Sequence, residues 1–263
     1  MSVMIAANTG FLWKDRSFLE RIARAGEAGF DAVEFHDEVQ THDIADVRSA
    51  LRDTGLPLLG LNVHMGDTAG CAGIPGHEDR AREDIDCALE AAVMLGGRAV
   101  HVLAGRTDDT EEAWATYRAN LAYASERARA SRTQAAPDGL TVLIEPLSAK
   151  AMPGYLLGSV ARAASVIEWV GAPNLKIMFD VFHVYGNGDP IAETFAQYRD
   201  HIGHVQLAHP ETRAEPATSG KHAVGPMITA LRERGYAGSF GAEYVSADTV
   251  EAGLGWLEAA RRG

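Results

Sequence analysis

The chain of 263 residues has 46% hydrophobic and 23% charged residues, a composition typical of a globular protein and not of a disordered, collagen-like or coiled-coil one. Its formal net charge of −12 at pH 7 argues against binding to nucleic acids or to anionic membranes. No apolar run approaches the roughly 18–20 residues of a membrane helix, and no signal peptide is recognised. Cys71 and Cys87 form no CxxC pair, so neither a disulfide scaffold nor a structural zinc site is expected. The sequence therefore predicts a cytoplasmic protein.

Short apolar runs alternate with amphipathic segments along the whole chain. The runs expected to be strands are 4–7, 32–34, 58–62, 99–102, 141–145, 175–180, 202–207 and 239–243. The segments expected to be helices are 17–28, 44–54, 80–95, 110–132, 159–170, 191–198, 223–234 and 247–260. Thr110 is the expected N-cap of the fourth helix, and Cys87 and Met94 on the third helix are expected in the core.

This alternation predicts the fold class. A strand followed by a helix, eight times in one chain, is typical of an α/β protein with a single-domain (β/α)8 TIM barrel, here residues 1–263. A doubly wound sheet is the competing architecture, but no GxGxxG follows the first strand and no GxxxxGK[ST] loop occurs. Two loops are unusually long, the glycine-rich 66–76 and the polar 208–222, and strand-to-helix loops lie at the catalytic end of a barrel.

Polar residues stand where the last four predicted strands end, namely Glu145, Asp180, Gln206 and Glu243. Their separations are each close to one strand–helix unit, and because consecutive strands lie side by side, the four side chains can converge above the barrel. Three carboxylates and an amide oxygen are hard donors that suit Mg²⁺ or Mn²⁺ better than zinc. Any one of them alone could be a helix N-cap or a solvated loop residue, but the spacing of the set favours a metal site.

Four further residues are candidates for substrate binding. His183 follows Asp180 by three positions and could donate a hydrogen bond to a substrate oxygen, or it could cap the next helix. Arg213, in the 208–222 loop, could pair with a substrate carboxylate through its planar guanidinium, or it could face solvent. His101 could point into the barrel or outward. Asn62 ends the third strand and is a candidate pocket wall.

Other catalytic patterns are absent from the sequence. Neither GxSxG nor HExxH occurs, so nucleophilic hydrolysis and zincin chemistry lack support. His201 and His204 are three residues apart on a predicted strand, face opposite sides and form no metal pair. An endonuclease on the same barrel would need several metal-binding histidines and a basic groove, which the acidic charge and the Glu/Asp/Gln set disfavour.

Eight stretches of the chain carry a family resemblance: Ala6-Ala7-Asn8, GFDAVEF at 29–35, VHVLAG at 100–105, Ile144-Glu145-Pro146, MPGY at 152–155, GAPNLK at 171–176, HIGHVQ at 201–206 and GAEY at 241–244. In these stretches, which run nearly from end to end, the sequence resembles the hydroxypyruvate isomerase family within the xylose isomerase-like barrels. The resemblance implies isomerisation of a small sugar acid, with hydroxypyruvate converted to tartronate semialdehyde through an enediolate.

The resemblance also implies roles for individual residues. The family positions that match Glu145, Asp180, Gln206 and Glu243 hold a divalent metal. The glutamates at 145 and 243 transfer protons, and the position of His183 lies in the substrate pocket. The family analogy further suggests a homo-oligomer acting on a small keto or hydroxy acid.

The loop after the seventh strand departs from the family pattern. Relatives usually carry an acidic or amide residue at His209, a histidine at Ala214 and a glutamate near Ser219-Gly220. These departures bear on the substrate more than on the reaction class. The alternatives are therefore a 2-dehydrotetronate isomerase, a ketose 3-epimerase or an inosose dehydratase on the same barrel, and a non-catalytic sugar-acid binding protein.

Overall fold

The computed structural model describes residues 3–262 as a closed barrel of eight parallel strands surrounded by helices. The strands pair in chain order, and the last pairs with the first. They are β1 (Ile5–Asn8), β2 (Ala32–Phe35), β3 (Leu58–Asn62), β4 (Ala99–His101), β5 (Thr141–Ile144), β6 (Leu175–Asp180), β7 (Ile202–Leu207) and β8 (Phe240–Ala242). The predicted (β/α)8 fold is confirmed.

Helices follow the strands. They are α1 (Phe18–Glu27), α2 (Ile44–Thr54), α3 (Glu78–Leu95), α4 (Glu111–Ala130), α5 (Val160–Val170), α6 (Val181–Gly186), α7 (Ile191–Tyr198), α8 (Val224–Glu233), α9 (Val250–Gly253) and α10 (Trp256–Arg261), with 3-10 turns at Glu38–Thr41 and Arg199–His201. Within residues 3–262, no helix is long and apolar enough to cross a membrane.

The helix boundaries follow the caps that the sequence offers. Thr110 caps α4 as expected, because its hydroxyl oxygen accepts a hydrogen bond from the Ala113 amide at 3.1 Å. The single helix expected over 247–260 is wrong: α9 and α10 are separate, and Gly253 and Gly255 lie at the break, where glycine weakens a helix. The short helix α6 was also not expected from the sequence.

The expectation that Cys87 and Met94 lie in the core is wrong. The buried stripe of α3 includes Ile85, Leu89 and Ala92. Cys87 and Met94 lie outside this stripe and are exposed, and the thiol of Cys87 is free. An apolar residue of an amphipathic helix therefore does not always belong to its buried face.

The core lies mainly between the barrel and its helices, and the barrel interior is only thinly filled. Two small groups of side chains occupy this interior, Ala6 with Ala32 and Leu59, and Ala99 with Leu143 and Met178. Beside them, a cavity of about 390 Å³ extends from Arg98 and Ser239, which precede β4 and β8, up to Gln206 on β7. The polar side chains at the carboxyl ends of the strands therefore lie above this cavity and not above a packed core.

The glycine-rich 66–76 loop packs tightly against the segment after β4. Gly70 has a φ of +84°, and a Cβ atom there would lie 2.6 Å from the Leu103 carbonyl oxygen. The amide of Gly73 donates a hydrogen bond to the Ala104 oxygen at 2.7 Å. The glycines allow this close backbone contact between the loop and the segment after β4.

Candidate functional site

The four side chains predicted at the strand ends occupy one end of the barrel. Asp180 and Gln206 lie on β6 and β7, while Glu145 and Glu243 directly follow the ends of β5 and β8. The backbone register pairs Asp180 with Gln206, and Gln206 with Gly241, two positions before Glu243. All four side chains are buried. Strand order thus brings together side chains that are far apart in the sequence.

Several oxygen atoms of this group have no hydrogen-bond partner among residues 3–262. They are Glu145 Oε1, Asp180 Oδ2 and Gln206 Oε1. The other oxygen of Asp180, Oδ1, caps α6 by accepting a hydrogen bond from the Phe182 amide at 2.7 Å, so the N-cap role considered for a single acid is compatible with membership of the site. Buried acceptors without donors are costly. A cation between Glu145 and Asp180 would satisfy an oxygen of each, because ligand atoms of these two residues lie within 4.8 Å of one another.

Burial and mutual repulsion perturb the two glutamates. Burial raises the pKa of Glu145 well above its ordinary value, and the nearby carboxylates of Glu243 and Asp180 raise it further. Burial also raises the pKa of Glu243, although the Arg213 guanidinium opposes this shift. Carboxylates of this kind are stronger bases than exposed ones, and strongly perturbed carboxyl groups in a cleft are typical of active sites.

His183 is oriented by the backbone. The Ser148 amide donates a hydrogen bond to His183 Nδ1 at 3.1 Å, which places the proton of the neutral ring on Nε2. Burial lowers the pKa of His183 to about 4, so the ring is neutral at pH 7. Nε2 lies 4.0 Å from both Glu145 Oε1 and Asp180 Oδ2. The side chain thus presents an N–H group to the space between the two carboxylates.

Glu145, Asp180 and His183 form a buried group that could hold a metal ion, because each offers a ligand atom and these atoms lie within 4.8 Å of one another. The hydrogen bond from Ser148 argues against His183 as the nitrogen ligand, because a ligating imidazole nitrogen must be unprotonated. The two carboxylates of the group remain suitable ligands.

His101 points into the barrel and contacts Asn62. His101 Nδ1 lies 3.1 Å from Asn62 Oδ1, and because an amide oxygen can only accept, Nδ1 carries the proton. Burial lowers the pKa of His101 to about 3. Its unprotonated Nε2 therefore lies 4.0 Å from Glu145 Oε2 without a hydrogen-bond partner among the described residues. Asn62 thus contacts His101, and both residues line the barrel cavity.

Arg213 does not face solvent. Its Nη2 donates a hydrogen bond to Glu243 Oε1 at 2.7 Å and lies 3.9 Å from Asp180 Oδ2. The guanidinium also stacks on Phe11 at 4.3 Å and on Phe182 at 5.1 Å. The backbone of Arg213 has a φ of +60°, a conformation that non-glycine residues rarely adopt. The loop therefore holds the positively charged guanidinium of Arg213 against the carboxylates of Glu243 and Asp180.

Three site residues were not expected from the sequence. Asn8 Nδ2 donates a hydrogen bond to Glu243 Oε2 at 3.3 Å, and His36 Nε2 lies 4.0 Å from Glu243 Oε1. Glu34 is buried beside Gln206. Asn8 ends β1, and Glu34 and His36 flank the end of β2. The strand-end pattern that marks polar residues on the last four strands also marks these three residues on the first two.

A closed (β/α)8 barrel with buried carboxylates converging at the carboxyl ends of its strands defines a class of enzymes whose active site lies at that end. The chain belongs to the xylose isomerase-like TIM barrel family, whose model matches residues 22–260. The family resemblance seen in the sequence is thereby confirmed.

Named relatives and solved structures show which members of this class of enzymes the chain resembles. The chain is 36% identical over 260 residues to 2-oxo-tetronate isomerase of Cupriavidus necator, covering 96% of each protein, and 32% identical to hydroxypyruvate isomerase of Escherichia coli, covering 96% of this chain and 97% of that one. A crystal structure titled AP endonuclease, family 2, from Brucella melitensis superposes with a TM-score of 0.89 at 30% identity, covering 98% and 99% of the two chains. An E. coli 3-keto-D-glucoside 4-epimerase, at 23% identity, 99% and 100% coverage and a TM-score of 0.80, shares the fold. The expectation that the protein is an isomerase is confirmed.

Proposed function

We propose that the protein is a cation-dependent isomerase of a small sugar acid and that it interconverts hydroxypyruvate and tartronate semialdehyde. The observation that supports this proposal is the burial of Glu145, Asp180, Gln206 and Glu243 at one end of the barrel, with three buried oxygens that lack donors among the described residues. Relatives named for hydroxypyruvate and for 2-oxo-tetronate match the chain about equally well, so isomerisation of 2-oxo-tetronate is the second candidate.

Mg²⁺ or Mn²⁺ fits the donor set, which consists of three carboxylates and an amide oxygen. Glu145, Asp180, Gln206 and Glu243 would hold the ion. When bound, it supplies a Lewis acid that stabilises negative charge developing on the substrate oxygens. The unpartnered oxygens of Glu145, Asp180 and Gln206 support this assignment.

Glu145 and Glu243 are the proposed proton-transfer groups. Conversion of hydroxypyruvate requires removal of a proton from C3, formation of an enediolate and return of a proton to C2, while the hydroxyl proton moves from the C3 oxygen to the C2 oxygen. Burial makes both carboxylates more basic than exposed ones, which suits them to accept a carbon-bound proton. One glutamate takes the carbon proton, and the other moves the hydroxyl proton.

Neighbouring side chains provide the polar contacts for the substrate. His183 presents an N–H donor and His101 presents an unprotonated nitrogen, so they can bind a substrate carbonyl and hydroxyl respectively. Arg213 has further donors for the substrate carboxylate, because its buried Nε lacks a partner within residues 3–262. The cytoplasmic location and the homo-oligomer stay predictions.

Glu145→Gln and Glu243→Gln test the two-glutamate scheme. Each keeps the shape of the side chain but removes the base, so we expect turnover of hydroxypyruvate to fall by at least about 10²-fold. Glu83→Gln, at an exposed position on α3, is the control and should keep wild-type rates. Thermal unfolding checks that the fold is retained. Wild-type turnover in a folded Glu145→Gln or Glu243→Gln variant would overturn the scheme.

A substrate panel separates the candidate activities. With added Mn²⁺, the panel contains hydroxypyruvate, 2-oxo-tetronate, free ketoses for 3-epimerisation, an inosose for dehydration and an oligonucleotide with an abasic site. We expect the highest kcat/KM for one of the two sugar acids. Tight binding of a sugar acid without turnover would instead favour the non-catalytic alternative.

A further inference from the structure

A buried hydrogen-bonded bridge crosses the barrel below the proposed cation site. Glu34 projects from β2, and its Oε1 lies 2.6 Å from His204 Nε2 on β7. Gln206 Nε2, also on β7, donates a hydrogen bond to Glu34 Oε2 at 3.0 Å. Glu34 is only 3% exposed. Both of its oxygens are therefore used, although β2 and β7 are not neighbours in the barrel.

The bridge determines which end of the Gln206 amide faces the site. A carboxylate only accepts hydrogen bonds, so Glu34 binds the NH₂ end of the amide. The carbonyl oxygen is then left pointing away from Glu34, and it is one of the buried oxygens without a donor among the described residues. Without Glu34, the carboxylate of Asp180, the register neighbour of Gln206 on β6, would attract the NH₂ end instead, and an amide turned in this way cannot ligate a cation.

We propose that Glu34 is a positioning residue that, held in place by His204, fixes the Gln206 amide with its oxygen toward the cation site. This inference rests on the cation site of the proposed function. It assigns to Glu34 no contact with the substrate and no proton transfer. It explains how a neutral amide can serve as a ligand among carboxylates that would otherwise reverse it.

The surrounding backbone is shaped to hold Glu34. A Cβ atom at Gly241 would lie 2.4 Å from Glu34 Oε1, so the carboxylate fits only because residue 241 has no side chain. Gly241 is also the register partner of Gln206 on β8. The barrel cavity of about 390 Å³ is lined by Glu34, His204 and Gln206. Truncation of Glu34 would therefore leave room for the amide to turn.

The test measures Mn²⁺ affinity by titration calorimetry, independently of turnover. We expect Glu34→Ala to weaken Mn²⁺ binding by roughly 10- to 100-fold, the usual effect of losing a residue that orients a metal ligand. Glu34→Gln should weaken it less, since the introduced amide oxygen can still accept the hydrogen bond from Gln206. The matched control is Asp84→Ala, which truncates another buried acid, one that pairs with Arg80 on α3 away from the site. It should leave the affinity unchanged.

A double-mutant cycle separates positioning from general loss of structure. If Glu34 acts through the amide, Glu34→Ala should have no further effect on Mn²⁺ affinity in a Gln206→Ala background. Gly241→Ala is a second route to the same result, because it displaces the Glu34 carboxylate. It also serves if Glu34→Ala does not fold, and its effect should likewise vanish in the Gln206→Ala background.

The outcomes are distinguishable from those of the proposed function. Unchanged Mn²⁺ affinity in folded Glu34→Ala or Gly241→Ala, or equal losses with and without the Gln206 amide, would overturn the positioning role. A wild-type protein that binds no Mn²⁺ would overturn both proposals. A wild-type protein that binds Mn²⁺ and shows the predicted coupling but isomerises no sugar acid would overturn the proposed function alone.

Discussion

At the scale of single residues, the site is organised by partners that orient each polar group. The Ser148 amide sets the proton position of His183, and Asn62 sets that of His101. Arg213 combines a hydrogen bond to Glu243 with stacking on two phenylalanine rings. Such restraints reduce the reorganisation needed when a substrate binds. The site therefore depends both on which polar groups it contains and on the partners that fix their orientation.

Arg213→Lys tests whether the guanidinium binds the substrate carboxylate. Lysine keeps the charge but loses the planar donors and the stacking, so we expect KM for hydroxypyruvate to rise by roughly 10- to 100-fold with a smaller change in kcat. Arg162→Lys is a matched control, because Arg162 also stacks on an aromatic ring, that of Trp114, but on the outer helices. An unchanged KM in Arg213→Lys would contradict the assignment.

The positions of some site residues at the strand ends could be predicted from the sequence, but the orientation of their side chains could not. Glu145, Asp180, Gln206 and Glu243 could be predicted because strand ends in a barrel lie at one edge. The dependence of Gln206 on Glu34 could not, because the two residues are separated by most of the chain and the contact crosses the barrel interior. No periodic pattern in a sequence encodes such a contact.

At the scale of elements, the loop between β7 and α8 carries the departures from the family pattern. The loop is held in shape by Glu211, which accepts hydrogen bonds from Tyr185 at 2.8 Å and contacts His222 Nε2 at 2.9 Å. The Val245 amide also donates a hydrogen bond to the Arg213 carbonyl oxygen at 2.8 Å. These contacts join the loop to α6 and to the segment after β8. They support the position of Arg213 over the site.

The hydrogen bonds of Glu211 with Tyr185 and His222 have a defined pH dependence. The hydrogen bond with His222, followed by that from Tyr185, holds the pKa of Glu211 below its ordinary value. Because the folded-state pKa of Glu211 is lowered, its hydrogen bonds stabilise the folded protein at pH values above the unfolded-state pKa. This stabilisation is lost as the pH falls through the folded-state pKa. We expect a carbon-13 NMR titration to place the Glu211 midpoint below 4.5, the ordinary value, and His222→Ala to raise it.

A control variant checks that the shift is local. His201→Ala removes another histidine that pairs with a glutamate, Glu168, beyond the opposite end of the barrel, and it should leave the Glu211 midpoint unchanged. A Glu211 midpoint that does not move in His222→Ala would show that the contact is not the cause of the shift.

Element positions were predicted more reliably than element ends. The bounds of α2, α7, β3, β6 and β7 agree with the sequence pattern, because apolar periodicity and capping signals coincide there. The split between α9 and α10 was missed because the apolar pattern continues across Gly253 and Gly255, and only the weak helix propensity of glycine marks the break.

At the scale of the whole molecule, strand order turns a linear repeat into a single site. The eightfold alternation was sufficient to predict a closed barrel, because eight parallel strands, each followed by a helix, pair in chain order and close on themselves. The cavity inside the barrel could not be predicted in this way, because it depends on small residues such as Gly60 and Ala99, register neighbours on β3 and β4, which leave space in the interior. The cavity and the candidate site share residues, among them His101 and Gln206.

A crystal structure with Mn²⁺ and hydroxypyruvate, together with its anomalous difference map, shows whether the strand-end side chains hold the ion. We predict one Mn²⁺ peak with an oxygen from each of Glu145, Asp180, Gln206 and Glu243 at about 2.1 Å, and the substrate beside it. A peak elsewhere, or an ion at this place held without these four side chains, would contradict the account.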